Sequence, residues 1–106
     1  MEFKSVYENG DSKANPFFVM YVNSTKTHVN RLGISISKKV GNAVNRNRIK
    51  RLIKEVCRLK AHGIKKGFDI VVVTRAVVGS LPKEDLFVKI EQSLGSLFQR
   101  HGLLVT

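Results

Sequence analysis

Arg46-Asn47-Arg48 places three planar, multi-donor side chains in a row. Guanidinium and carboxamide groups suit phosphate oxygens and base edges, because each can offer paired hydrogen bonds in one plane. The triplet sits within residues 37–60, a stretch with nine Lys or Arg and a single acid, Glu55. Ile49, Leu52, Ile53, Val56 and Leu59 recur there at the spacing of one helix face. At about 100° per residue, Arg46, Asn47, Lys50, Arg51, Lys54 and Arg58 gather on the opposite face. Arg48 falls to the flank, near Glu55. Most basic helix faces are simply solvated. This one has almost no compensating acid, so it repels itself unless a polyanion neutralises it. Its Arg- and Asn-rich end is also the helix N-terminus, where free N–H groups favour anions. The chemistry indicated is nucleic-acid recognition.

Bond-breaking chemistry has no comparable support. His28, His62 and His101 are scattered, with no second His or Cys at zinc spacing. Glu84-Asp85 is explained by the electrostatics of a helix start rather than by acid–base work. The Val40-Gly41-Asn42 turn lacks the Lys-Ser/Thr ending of a nucleotide-phosphate loop. On its own this chain is not expected to be an enzyme, and no cofactor or metal is expected on it.

The elements that position the basic stretch can be read on either side of it. Phe3, Val6 and Tyr7 lie at i, i+3 and i+4, predicting a short helix over residues 2–8 closed by Asn9-Gly10. Asp11 to Pro16 reads as polar turn. Residues 17–22 predict a strand, with Phe17, Val19 and Tyr21 on one face and Phe18, Met20 and Val22 on the other. Asn23 to Asn30 is a polar connection. Leu32, Ile34 and Ile36 alternate with Gly33, Ser35 and Ser37, a strand whose Gly/Ser face either receives another backbone or lies under a closely packed helix. After the basic helix, which ends near Ala61-His62-Gly63, residues 68–74 form a nearly continuous apolar run, the pattern of a central strand. Pro82, with Glu84 and Asp85 behind it, opens a last helix with Leu86, Ile90, Leu94, Leu97 and Phe98 on its apolar face.

Residues 1–106 read as one domain, and the net charge of +11 calls for a polyanionic partner. No apolar run approaches the roughly 20 residues of a membrane span, and no signal peptide opens the sequence. The lone Cys57 lies at the edge of the helix's apolar face, a buried structural thiol, and the cytoplasm is the expected compartment.

Arg46-Asn47-Arg48, preceded by Ser37-Lys38-Lys39-Val40-Gly41-Asn42-Ala43-Val44 and followed by Ile49-Lys50-Arg51-Leu52-Ile53, resembles the signature of the bacterial ribonuclease P protein subunit. Asn15 to Tyr21, Leu32 to Ser37, Phe68 to Arg75 and the last helix also resemble family segments. The resemblance implies an α+β fold, a single compact domain of order α-β-β-α-β-α with room for an extra short strand. It has a mixed sheet packed with helices and a left-handed β-α-β crossover, against the right-handed rule.

The resemblance further implies a protein subunit that binds ribonuclease P RNA and the 5′ leader of precursor tRNA and assists endonucleolytic removal of that leader. Catalysis and the catalytic magnesium are expected in the RNA partner. The residues expected at the RNA are Lys38, Lys39, Arg46, Asn47, Arg48, Lys50, Arg51, Lys54 and Arg58. Phe3, Tyr7, Val19 and Tyr21 are expected to line the leader cleft, where bases stack on aromatics. Core packing is a rival for Phe3, because Val6 shares its face, whereas the Tyr21 hydroxyl calls for solvent or a polar partner. Without RNA the protein is expected to be a monomer. Family members usually carry a basic stretch of roughly a dozen residues before the first helix, where termini otherwise fray. This sequence begins almost inside that helix, so contacts of such a stretch are not carried over. The two competing readings are a structural or ribosomal RNA-binding protein without a role in cleavage, and a DNA-binding regulator using residues 45–60 as recognition helix. The second is disfavoured by the strand, rather than a short helix, that precedes those residues.

Overall fold

The computed structural model describes residues 1–105. Its order is α1 (Phe3–Asn9), β1 (Asp11–Ala14), β2 (Phe18–Ser24), β3 (Arg31–Ile36), α2 (Ala43–Lys60), β4 (Phe68–Thr74) and α3 (Lys83–Arg100). Short 3-10 turns at Ala61–Gly63 and Ala76–Ser80 follow α2 and β4. The strands form one mixed sheet, β1-β2-β4-β3. β2 pairs antiparallel with β1 and β4, and β3 runs parallel to β4. The fold is α+β, with the extra strand present.

That strand, β1, corrects the reading of Asp11–Pro16 as turn. Asp11 to Ala14 pair with Val22 to Val19, yet all four side chains are exposed. An edge strand with neither face buried leaves no hydrophobic alternation to read. Asn15 makes the corner that follows: its Oδ1 accepts the N–H groups of Phe17 and Phe18 at 3.0 and 2.9 Å. Its Nδ2 donates to the Ser93 carbonyl at 3.1 Å, tying the corner to α3. Phe17 consequently stands outside β2 and packs against the main core, not on the face of Val19 and Tyr21.

The central strand decides the layering. Val71 and Val72 of β4 are both fully buried although they point to opposite faces, so both faces of the sheet are covered. On one face Phe18, Met20, Val22, Ile70 and Val72 meet Ile49, Ile53 and Val56 of α2 and the apolar face of α3. All five residues expected on the α3 face are buried. On the other face α1 lies across the sheet, with Val6 buried beneath it. Leu59 departs from the expected α2 core face and is 54% exposed. It lies about 80° from Ile49 around the helix axis, at the margin of the apolar stripe.

Candidate nucleic-acid interface

The N-terminus of α2 is fixed by side chains that the basic stretch itself supplies. Asn42 caps it, its Oδ1 accepting the Asn45 N–H at 2.9 Å, which replaces a missing intrahelical partner. Arg46 Nε donates to the Gly41 carbonyl at 3.1 Å, so this half-buried arginine braces the turn ahead of the helix. Val40 is buried and Lys38 and Lys39 are exposed. The Val40 carbonyl lies so close to Gly79 that a Cβ there would stand 1.6 Å from the oxygen. The loop carrying the two lysines is therefore seated on the Ala76–Ser80 turn.

Along the helix, Asn47, Lys50, Arg51 and Lys54 are exposed on the face opposite Ile49, Ile53 and Val56. Among the described residues no carboxylate forms an ion pair with Lys38, Lys39, Arg46, Arg48, Lys50, Arg51 or Lys54. Arg48 lies on the helix flank, without an ion pair to Glu55 among the described residues. It is half-buried and lines a small recess with Val78, Gly79 and Lys83. Glu55 pairs instead with Arg58, whose Nε donates to Oε2 at 3.1 Å. That hydrogen bond holds the Glu55 carboxyl below its usual range and raises the Arg58 pKa. Arg58 is therefore exposed but already compensated. One face of α2 is a continuous field of unsatisfied donors and positive charge, suited to the phosphates of a nucleic acid.

The aromatic residues gather on the other side of the sheet. Phe3 and Tyr7 lie 6.3 Å apart at 81°, and Tyr7 and Tyr21 lie 4.7 Å apart at 65°. Tyr21, Val71 and Gly33 stand in one cross-strand row, and Val19, Val73 and Ser35 in the next on the same face. Gly33 settles how the Gly/Ser face is used. A Cβ there would come within 2.4 Å of the Phe3 ring, so α1 covers it, and the closely packed helix is the correct reading. Phe3 is accordingly half-buried, while Tyr7 is 39% exposed and Tyr21 half-buried at its edge. At the other end of this face Arg31 clamps Asp69 through two hydrogen bonds of 2.7 and 2.8 Å. The pair was missed in the sequence because its members lie 38 residues apart.

The family model for ribonuclease P matches residues 1–101. The chain belongs to the ribonuclease P protein family. It is 45% identical to the "Ribonuclease P protein component" of Clostridioides difficile over 98% of this chain and 89% of that one. With the component of Lachnoclostridium phytofermentans it shares 47% over 97% and 85%. The ribonuclease P proteins of Staphylococcus aureus and Thermotoga maritima superpose with TM-scores of 0.85 and 0.86 at 36% and 33% identity. The first match covers 95% of this chain and 89% of the other, the second 92% of each. Membership makes the chain a protein component of an endoribonuclease of tRNA processing, with RNA as its partner in a ribonucleoprotein. A regulator or ribosomal protein is correspondingly disfavoured. β3 and the loop 37–42, not a helix, lead into α2, as a helix-turn-helix would not allow. No helix among the described residues is long and apolar enough to cross a membrane.

Proposed function

We propose that this ribonuclease P protein binds its RNA partner through the exposed face of α2 and takes the 5′ leader of precursor tRNA on the aromatic face beside α1. The observation that carries the proposal is the run of exposed cations on α2 with no carboxylate partner among the described residues, supported from beneath by Ile49, Ile53 and Val56. Two RNAs approaching one another repel. Cations held on a rigid helix between them neutralise phosphates and release counterions, which favours the complex most when magnesium is scarce.

Tyr7 and Tyr21 offer partly exposed rings on which bases of a single strand can stack. Hydrolysis is assigned to the RNA, where the catalytic magnesium would bind. The protein's part is to bind and position. It works as a cytoplasmic protein, monomeric until it meets RNA. The test is reconstitution with a bacterial ribonuclease P RNA and precursor tRNA at low magnesium. Leader release that depends on this protein is the expected result, and its absence would overturn the proposal.

A further inference from the structure

Beside the C-terminal half of α2 lies a cavity of about 440 Å³, away from the aromatic face. Its walls are apolar, from Val29, Leu32, Cys57, Ala61 and Ile64, with Phe98 at its floor. Its charged lining residues are Arg31, Lys54, Arg58 and Lys66, and no acid is among those that line it. Arg31 and Arg58 are committed to Asp69 and Glu55, whereas Lys54 and Lys66 have no carboxylate partner among the described residues. Burial pushes the Cys57 thiol up to about 11, so it adds no negative charge. The Asn30 carboxamide donates one N–H to the Lys65 carbonyl at 2.8 Å and accepts the Phe68 N–H at 2.9 Å, which holds it in place and leaves it one further donor and one lone pair.

An apolar chamber with free cations at its mouth fits a ligand that is flat and weakly polar at one end and anionic at the other. Lys54 belongs both to this rim and to the exposed face of α2, so an RNA strand on that face passes the opening. We propose that the cavity receives one unstacked nucleotide of the bound RNA, the base among Val29, Leu32 and Ala61 and its phosphate between Lys54 and Lys66. This rests on the RNA-binding reading of α2. A volume of a few hundred cubic ångströms is in the range of small-ligand sites.

The test titrates the isotopically labelled full chain with adenosine 5′-monophosphate and follows its amide resonances, with inorganic phosphate and octanoate in parallel. Saturable shifts at Val29, Leu32 and Ala61 are expected from the nucleotide and not from phosphate alone. Ala61→Phe fills the chamber and Leu32→Glu places a carboxylate at its wall; each should weaken nucleotide binding about tenfold or more, with the folded spectrum retained. Silence at these amides, shifts that survive both variants, or shifts from octanoate alone would overturn the assignment. The same wild-type sample is titrated with ribonuclease P RNA. Tight RNA binding with a silent cavity removes this proposal and leaves the α2 reading standing, whereas no RNA binding removes both.

Discussion

The basic face of α2 and the aromatic face beside α1 are built in opposite ways. The first comes from one continuous segment, and Lys50, Arg51 and Lys54 are held outward by the apolar stripe of their own helix, with only the Lys38–Lys39 loop seated on the turn at Ala76–Ser80. The second is assembled from α1, β2, β3 and β4, and exists only when the helix is docked. Charge recognition can therefore survive local loosening of the fold, whereas a stacking surface cannot. Damage should propagate accordingly.

The largest effect is expected beneath α2. Ile53 is fully buried, and Ile53→Ala should cost about 2–5 kcal/mol through the cavity it leaves. Leu52→Ala, at a half-buried site, should cost less, about 1–2 kcal/mol on the same reasoning. Thermal melts of the free protein measure both, and equal costs would mean that the helix is rotated from its described orientation.

Lys50→Glu with Lys54→Glu should next weaken affinity for ribonuclease P RNA by about 100-fold at low salt. The slope of log affinity against log salt should flatten by about 1.5, two lost phosphate contacts. The melting temperature should change little. An unchanged slope would reduce this face to solvated charge and break the contrast with the aromatic side.

Tyr21→Ala should weaken holoenzyme affinity for precursor tRNA by about 1–3 kcal/mol, the worth of one stacked base, and leave mature tRNA nearly unaffected. Equal losses for the two would assign Tyr21 to packing against Tyr7 instead.

The smallest effect concerns pH. His101 Nε2 lies 2.9 Å from the Met20 carbonyl, and burial holds its pKa below the ordinary 6.5. The unfolded chain then binds a proton more readily than the folded one. The stability His101 contributes is present above pH 6.5 and declines as the pH falls through the folded value. His101→Gln should flatten this acid-side slope in melts without altering the salt dependence of RNA binding.

Much of this was legible because hydrophobic period and charge are local signals. Ile49, Ile53 and Val56 read correctly, as did every core position named on α3 and the central placement of β4. What failed was non-local or unpatterned. β1 has four exposed side chains, so pairing with β2 is its only signature. Leu59 fits a helical period but stands at the margin of the apolar stripe, where a helical wheel does not tell burial from exposure. Arg48 and Glu55 share a helix flank two turns apart, and only the packing of α2 beside the turn at Ala76–Ser80 decides that Arg48 lines the recess by Lys83 while Glu55 pairs with Arg58. The gathering of Phe3, Tyr7 and Tyr21 followed from the family resemblance, not from any period.

The contact between Gly79 and Val40 has a genetic consequence. Gly79→Ala demands that a methyl group occupy space already held by a backbone carbonyl, and the loop carrying Lys38 and Lys39 is the part free to yield. In a screen for alleles defective in RNA binding, Gly79 would score beside the lysines although it carries no charge and no side chain. It would do so recessively to added protein, since raising the dose restores occupancy when affinity, not chemistry, has been lost.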